Sequence, residues 1–572
     1  MIEKRYVQKG AVRAGFARRT EGTTMHWQSA FLACALIGSG SLATAQAEPA
    51  QRFRLADWEV EQAIPRPPLD AVGPVAARDF GLEAFPPSPI LAEAPNADDE
   101  APETARAPEV PQPTEADFAA IPDDPPSLLE EGQPDPAITV ERVAQQLRII
   151  LARPGGDRAL QQQLNPFYAG RGYQPLFVRD GVVAERGQAA LTRLGQAGED
   201  GLDPAAYRIQ LPTGPRTAES VARLELALAR AVALYASHAS GGRTDPKRLS
   251  GYFDVSPPRI ETTAALESVA RAENVTAAID GFNPPHPGFR RLRAKLVEMR
   301  GERREMTTTE ATRRHALRER DLIANLERWR WLPRQLGETH IWVNSTEAQV
   351  NVVQGTQVVH STRAVVGRPE TQTPVFSDAM SFIVLNPSWH VPISIVRRSM
   401  LGPASRNGGG YFARRGIQVT QGGRVVDAST INWASANVGR YTFRQPPGTA
   451  NALGRMKFMF PNRHAIYLHD TPSRGDFGRS NRTLSNGCVR VQNPEELAAL
   501  LLGIALPGEN WTIGRMRSLY GGGERSVRFR QAIPIHLVYF TMTVDSTGAL
   551  VELPDVYGHN ARVRAALSGG RG

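Results

Sequence analysis

The residues best suited to chemistry lie between His469 and Arg490, in the run His469-Asp-Thr-Pro-Ser-Arg-Gly-Asp-Phe-Gly-Arg-Ser-Asn-Arg-Thr-Leu-Ser-Asn-Gly-Cys-Val-Arg490. A histidine is followed by fifteen residues and then by Ser485-Asn-Gly-Cys-Val-Arg490. A thiol attacks as its thiolate, and the ordinary cysteine pKa of about 8.5 leaves little thiolate at neutral pH. An imidazole within reach can take the proton and pair with the thiolate. This predicts Cys488 as a nucleophile and His469 as its proton donor and acceptor. Gly487 permits close backbone approach, and its amide, with that of Cys488, is a candidate donor to the oxyanion of a tetrahedral intermediate. Arg490 suits a substrate carboxylate.

Ordinary elements must hold these groups. Ala465-Ile-Tyr-Leu-His469 alternates as a half-buried strand does, which puts His469 at a strand end. Asn493-Pro-Glu-Glu-Leu497 reads as a helix start, with an N-cap, proline at the first helical position and acids in the first turn. The cysteine is therefore expected on a loop between a strand and a helix.

The stretch resembles the signature of the L,D-transpeptidases, cysteine enzymes that cross-link peptidoglycan. Their pattern is His, roughly fifteen residues, Ser/Thr-His-Gly-Cys, then Arg or Asn two residues later; here the second histidine is Asn486. The resemblance runs from about Ala137 to Arg562. It implies an α+β multidomain chain: a helical scaffold domain, a mostly-β catalytic domain, and a capping-loop insertion over the site. It also implies substrate-binding roles for Ser485, Asn486 and Arg490, with Tyr441, Arg444, Gln445 and Trp389 lining the cleft.

The rest of the chain divides by composition. Residues 1–47 read as an export signal: Lys4, Arg5, Lys9, Arg13, Arg18 and Arg19, then the apolar Ser29 to Leu42, then Ala45-Gln-Ala47, with Met25 as an alternative start. Residues 48–136 hold 18 of the 44 prolines and 20 acids against 5 arginines, the composition of an extended acidic linker. With +4 on the signal, −15 on the linker and +9 overall, residues 137–572 carry +20. No nucleic-acid motif accompanies this charge, so nucleic acid is not an expected partner. A basic body suits carboxylate-rich peptidoglycan stem peptides. Of two cysteines, Cys34 lies in the signal, leaving Cys488 alone in the mature chain. No histidine or cysteine cluster has ligand spacing, so neither metal nor organic cofactor is implied.

Residues 137–300 are expected to form the helical scaffold, with Leu224, Leu228, Ala231 and Tyr235 on one helix face. Asn165-Pro-Phe-Tyr168, Gly172-Tyr-Gln-Pro-Leu-Phe177 and Asp200-Gly-Leu-Asp203 carry the resemblance there. His238 reads as a helix-face residue. The small peptidoglycan-binding module usual in this subfamily finds no match. Instead a charged helix, roughly Glu298–Arg320 within a 301–324 linker, leads into a catalytic domain over 325–562, with the insert at 397–450 and a tail at 563–572.

The resemblance implies a periplasmic enzyme that attacks the bond between the third and fourth stem residues, releases D-Ala, and transfers the acyl group to a diaminopimelate amine. Hydrolysis at the same site, or an envelope-protein amine as acceptor, are the alternatives. A sortase needs Thr-Leu-x-Thr-Cys where this chain has Thr483-Leu-Ser-Asn-Gly-Cys488, and papain-like enzymes place Cys before His. A non-catalytic wall scaffold would have lost His469 or Cys488, and both are present.

Overall fold

The computed structural model describes residues 135, 137–209, 216–304, 306, 308–407 and 410–569. The predicted export signal and nearly all of the acidic linker lie outside them. Among the described residues no helix is long and apolar enough to cross a membrane.

The scaffold part is built on the helix Ala218–Gly241. Thr217 opens it with a capping box, its side chain accepting from the Ser220 amide while Ser220 Oγ accepts from the Thr217 amide. The expected face (Leu224, Leu228, Ala231, Tyr235) is buried, against the helices Val140–Ala152, Arg158–Gly170, Glu185–Gly195 and Thr262–Arg271. Two polar groups fix this core. The fully buried Glu225 accepts from Tyr168 Oη at 2.6 Å and from the amides of Leu176, Phe177 and Val178 at 2.7, 2.8 and 3.0 Å. Burial raises its carboxyl pKa, and the four hydrogen bonds oppose that rise. Asp200 joins Arg193, Tyr235, Arg293 and Asn283. Thus Tyr168, Phe177 and Asp200, singled out by resemblance, are core and anchor residues. His238 meets the Tyr207 hydroxyl at 2.9 Å.

Replacing Glu225 with Ala should strand three amides and a phenol. At about 1–3 kcal/mol for each unsatisfied group, with incomplete additivity, the expected loss is roughly 3–5 kcal/mol. Urea unfolding checks it: the midpoint should fall sharply for Glu225→Ala and less for Glu225→Gln, which keeps an acceptor oxygen.

The single charged linker helix is instead two helices, Pro287–Arg304 and Thr309–Arg330, folded back on one another. Phe289, Leu292, Leu296 and Met299 face Leu322, Leu326 and Trp329 in one cluster, and Arg300 binds Glu319 at 2.7 Å. The second helix ties the two parts together. Glu327 accepts from the amides of Arg243 and Thr244 at 2.6 and 2.9 Å, and Arg330 donates to the Asp200 carbonyl at 2.7 Å.

The catalytic part is a nine-stranded sheet. Its order is Thr483–Ser485, Gln357–Gly367, Val489–Val491, Leu468–His469, Met456–Met459, Phe376–Leu385, Arg525–Val538, Thr339–Asn344 and Gln349–Gln354. The last strand pairs back with Gln357–Gly367, so the sheet closes on itself around Val350, Val366, Ile383, Phe458, Leu468 and Leu537. Pro494–Ala505 covers it through Leu497, Leu501 and Leu502. Asn493 does stand at the N-cap position, yet its side chain caps no backbone amide; its side-chain Nδ2 donates to the Glu496 carboxylate instead.

The insert is a small folded unit. Trp389–His390, Tyr441–Gln445, Gln418–Gln421 and Arg424–Val426 form a four-stranded sheet over Val396, Phe412, Trp433 and Phe443. It therefore begins at Trp389, ahead of the expected start at 397, and the capping-loop insertion has a packed core of its own. Gly408 and Gly409 lie outside the described residues. At the end of the chain, the helix His559–Gly569 buries Val563, so an ordered helix stands where a tail was expected.

Candidate active site

Two short parallel strands bring the chemistry together. Leu468–His469 pairs with Val489–Val491 in the register Leu468 to Val489 and His469 to Arg490. Cys488 immediately precedes the second strand, which places it beside the first. The strand reading of Ala465 to His469 is shortened: only Leu468–His469 is paired, and 462–466 form a turn.

The His469 side chain is buried, and its Nδ1 lies 2.5 Å from the Asp470 carbonyl. A carbonyl can only accept, so Nδ1 carries the hydrogen and Nε2 is left as the base. Asp470 is fixed in turn, because its carboxylate accepts from the amides of Arg455 and Thr471 at 2.7 Å each and binds Arg474.

Burial pulls the His469 imidazole down to about 3, and the nearby Arg490 charge depresses it further; Lys457, its partner on the opposite strand, adds to this. Burial likewise pushes the Cys488 thiol up to about 11, against the Tyr467 amide and Arg490, which favour the thiolate. Burial thus favours a thiol and a neutral imidazole over the ion pair that the sequence reading expected. The thiol points to the Ala465 carbonyl at 3.7 Å. Alkylation of Cys488 by iodoacetamide should rise about tenfold per pH unit from 7 to 10, since thiolate is about one part in ten thousand at pH 7. A plateau below pH 8 would contradict the neutral pair.

Gly487 has φ +116°, a conformation open to glycine. Its amide donates to Ser485 Oγ at 3.1 Å, and Ser485 Oγ donates to the Cys488 carbonyl at 2.6 Å. Two assignments change for this reason. The Gly487 amide is already occupied, which leaves the Cys488 amide as the oxyanion candidate. Ser485, buried, clamps the turn and does not face substrate. Arg490 is also engaged: its guanidinium pairs with Asp476 at 3.0 Å, and its charge favours the Cys488 thiolate and disfavours a protonated His469.

The cleft residues divide. Trp389 offers its indole to the Tyr467 hydroxyl, which lies against the nucleophile. Asn486 Oδ1 and Gln372 Oε1 are buried without a hydrogen-bond partner among the described residues. Arg444 is exposed and donates to Ser388 at 2.7 Å. Tyr441 packs edge-on to Trp433 in the insert core. Gln445 is buried, donating to the carbonyls of Arg415 and Ala450 and accepting from the Ala452 amide, so it staples the insert's exit. His390 is exposed, and His536 is held by Ser377 and the Leu336 carbonyl.

Sequence reasoning missed Tyr467. Its ring meets His469 edge-on at 5.7 Å, and burial with the Cys488 charge raises its pKa well above the ordinary phenol value. The signal was its spacing: residues i and i+2 of a strand share a face, so Tyr467 accompanies His469.

A cysteine and a tautomer-fixed histidine on adjoining strands of a mostly-β domain, behind a helical domain, define the class. Residues 338–514 match the family model described as the L,D-transpeptidase catalytic domain, and residues 162–296 match that described as the Scaffold domain. Those two regions of the chain are thus similar to an L,D-transpeptidase catalytic domain and to a Scaffold domain. A Haemophilus influenzae protein named "Putative L,D-transpeptidase" is 34% identical over 250 residues, which are 43% of this chain and 49% of that protein. The chain therefore spans about half the length of that curated relative. A solved L,D-transpeptidase from Mycobacterium smegmatis is 13% identical with a TM-score of 0.16, covering 35% of this chain and 58% of that one; a likeness of that size carries no argument.

Proposed function

We propose that this protein is a periplasmic peptidoglycan L,D-transpeptidase. The observation that carries the reading is the Cys488–His469 arrangement with Nδ1 fixed on the Asp470 carbonyl. His469 Nε2 takes the thiol proton as Cys488 Sγ attacks the carbonyl of the third stem residue, so that no isolated charge is held in the buried resting site. The Cys488 amide faces the developing oxyanion. His469 returns the proton to the D-Ala nitrogen, and the bond to D-Ala breaks, leaving a thioester. A diaminopimelate amine on a neighbouring stem then attacks, losing its proton to His469 and freeing the thiol, to give a 3→3 cross-link. Asn486 Oδ1 and Gln372 Oε1 supply acceptors for stem-peptide N–H groups.

The test incubates the protein and its Cys488→Ala variant with a disaccharide-tetrapeptide and follows products by mass spectrometry. A cross-linked dimer made only with Cys488 present supports the transpeptidase. Tripeptide alone, also dependent on Cys488, would make the protein a carboxypeptidase or require another acceptor, such as an envelope-protein amine. No product dependent on Cys488 would overturn the reading.

A further inference from the structure

The segment Tyr252–Asp254 leaves the scaffold part and pairs with the catalytic sheet. Asp254 N donates to the Val375 carbonyl at 2.9 Å, and Val375 N to the Tyr252 carbonyl at 2.8 Å. Phe253 between them is buried on Trp331 and His559 at 5.3 and 4.4 Å. This fixes the Asp254 backbone, and its half-buried side chain reaches a second part of the catalytic domain. Its carboxylate accepts from Arg463 Nε at 2.6 Å and from Arg463 Nη2, and meets His464 Nε2 at 2.7 Å; Lys247 stands at 3.7 Å. The His464 ring also rests on Phe376 at 5.2 Å.

Arg463 and His464 belong to the turn that precedes the catalytic histidine strand. Asn462 closes it, accepting from the amides of His464 and Ile466 at 3.0 and 3.2 Å and donating to the carbonyls of Phe460 and Ile466 at 2.6 and 2.8 Å. Ala465 is forced to φ +53° at its tip, a conformation an alanine does not choose unaided. This turn forms a wall of the nucleophile's pocket. The Ala465 carbonyl receives the Cys488 thiol, Ile466 Cδ1 lies 3.2 Å from where a Cβ on Gly487 would stand, and the Tyr467 carbonyl accepts from Val489 N at 3.2 Å.

We infer that Asp254, supplied by the scaffold part, is a positioning residue for Cys488: it holds Arg463 and His464 so that the Asn462–Ile466 turn aims the thiol. The scaffold is then a component of the catalytic apparatus and not only a support beside it. The inference rests on Cys488 acting as the nucleophile of the proposed reaction. A salt bridge to Arg463 and a hydrogen bond to His464, both on a turn held against its own preference, give the carboxylate its leverage. A displaced thiol is costly, because a shift near 1 Å in a reacting group can cost on the order of 100-fold in rate.

The test uses the full chain. Asp254→Asn should lower kcat on the disaccharide-tetrapeptide by about 10-fold or more with KM within about two-fold, and Asp254→Glu should recover part of the loss. Arg463→Gln, at an exposed position, should reproduce a smaller loss. The double variant should be no slower than Asp254→Asn, as expected for residues acting through one contact. A lower melting temperature with kcat per folded molecule unchanged would reduce Asp254 to a structural role and overturn the inference, as would additive losses in the double variant. If the unaltered protein shows no turnover dependent on Cys488, the proposed function fails by itself. The rate of Cys488 alkylation by iodoacetamide then decides: a change of several-fold in Asp254→Asn supports the positioning, and equal rates overturn it.

Discussion

His469→Gln should lower turnover of the tetrapeptide stem by about 10³-fold, within the usual range for a general acid–base group. Alkylation of Cys488 at pH 9 should nevertheless stay within about two-fold of the unaltered protein. The two measurements separate because the resting imidazole is neutral. Burial, Arg490 and Lys457 keep it from carrying a proton, so it does not maintain a thiolate that alkylation would read. Its work lies in the reaction, where it carries the proton from sulfur to the leaving amine. Gln keeps a donor for the Asp470 carbonyl but has no nitrogen that can accept and return a proton, so the strand pairing survives while the shuttle is lost. The double variant His469→Gln, Cys488→Ala should be no slower than Cys488→Ala alone, since the two act as a unit. Alkylation falling in parallel with turnover would mean that a standing ion pair had been present after all.

What could be read from the sequence follows from the range of the interactions. The cysteine, the histidine and their order were legible because the residue types and spacing are local to one loop. The scaffold helix Ala218–Gly241 was legible because its apolar face repeats over six turns. Contacts made across the chain were not. Asp476 on Arg490, Gln445 on the Arg415 carbonyl, and Asp254 on Arg463 join residues whose proximity only the folded chain creates. The break in the charged helix had a local signal that went unused. Thr308 caps the helix Thr309–Arg330, accepting from the Ala311 amide at 3.3 Å, and Glu310 follows in the first turn. The insert's core escaped notice because its strands are two to five residues long and its apolar side chains, Phe412, Trp433 and Phe443, come from separate segments.

Gly487→Ala should cost about 100-fold in kcat, and Ser485→Ala about 10-fold. At φ +116° an L-residue is strained by about 1–3 kcal/mol, and the new methyl would meet Ile466 Cδ1 at 3.2 Å, so the turn must shift. The turn has no slack to absorb that shift. Thr373 Oγ1 donates to the Gly487 carbonyl at 2.8 Å and itself accepts from the Gly367 amide at 2.9 Å, while Ser485 Oγ holds both the Gly487 amide and the Cys488 carbonyl. Any adjustment therefore passes to the next residue, which carries the thiol. Ser485→Ala makes the sharper comparison. If the Gly487 amide served as an oxyanion donor, removing the hydroxyl that occupies it would free the amide and raise kcat. If Ser485 is the clamp, kcat falls and Ser485→Thr, which restores a hydroxyl at the same place, recovers it. Rates of tetrapeptide turnover for the three variants, each normalised to folded protein by circular dichroism, distinguish the two: a faster Ser485→Ala would return the oxyanion role to Gly487.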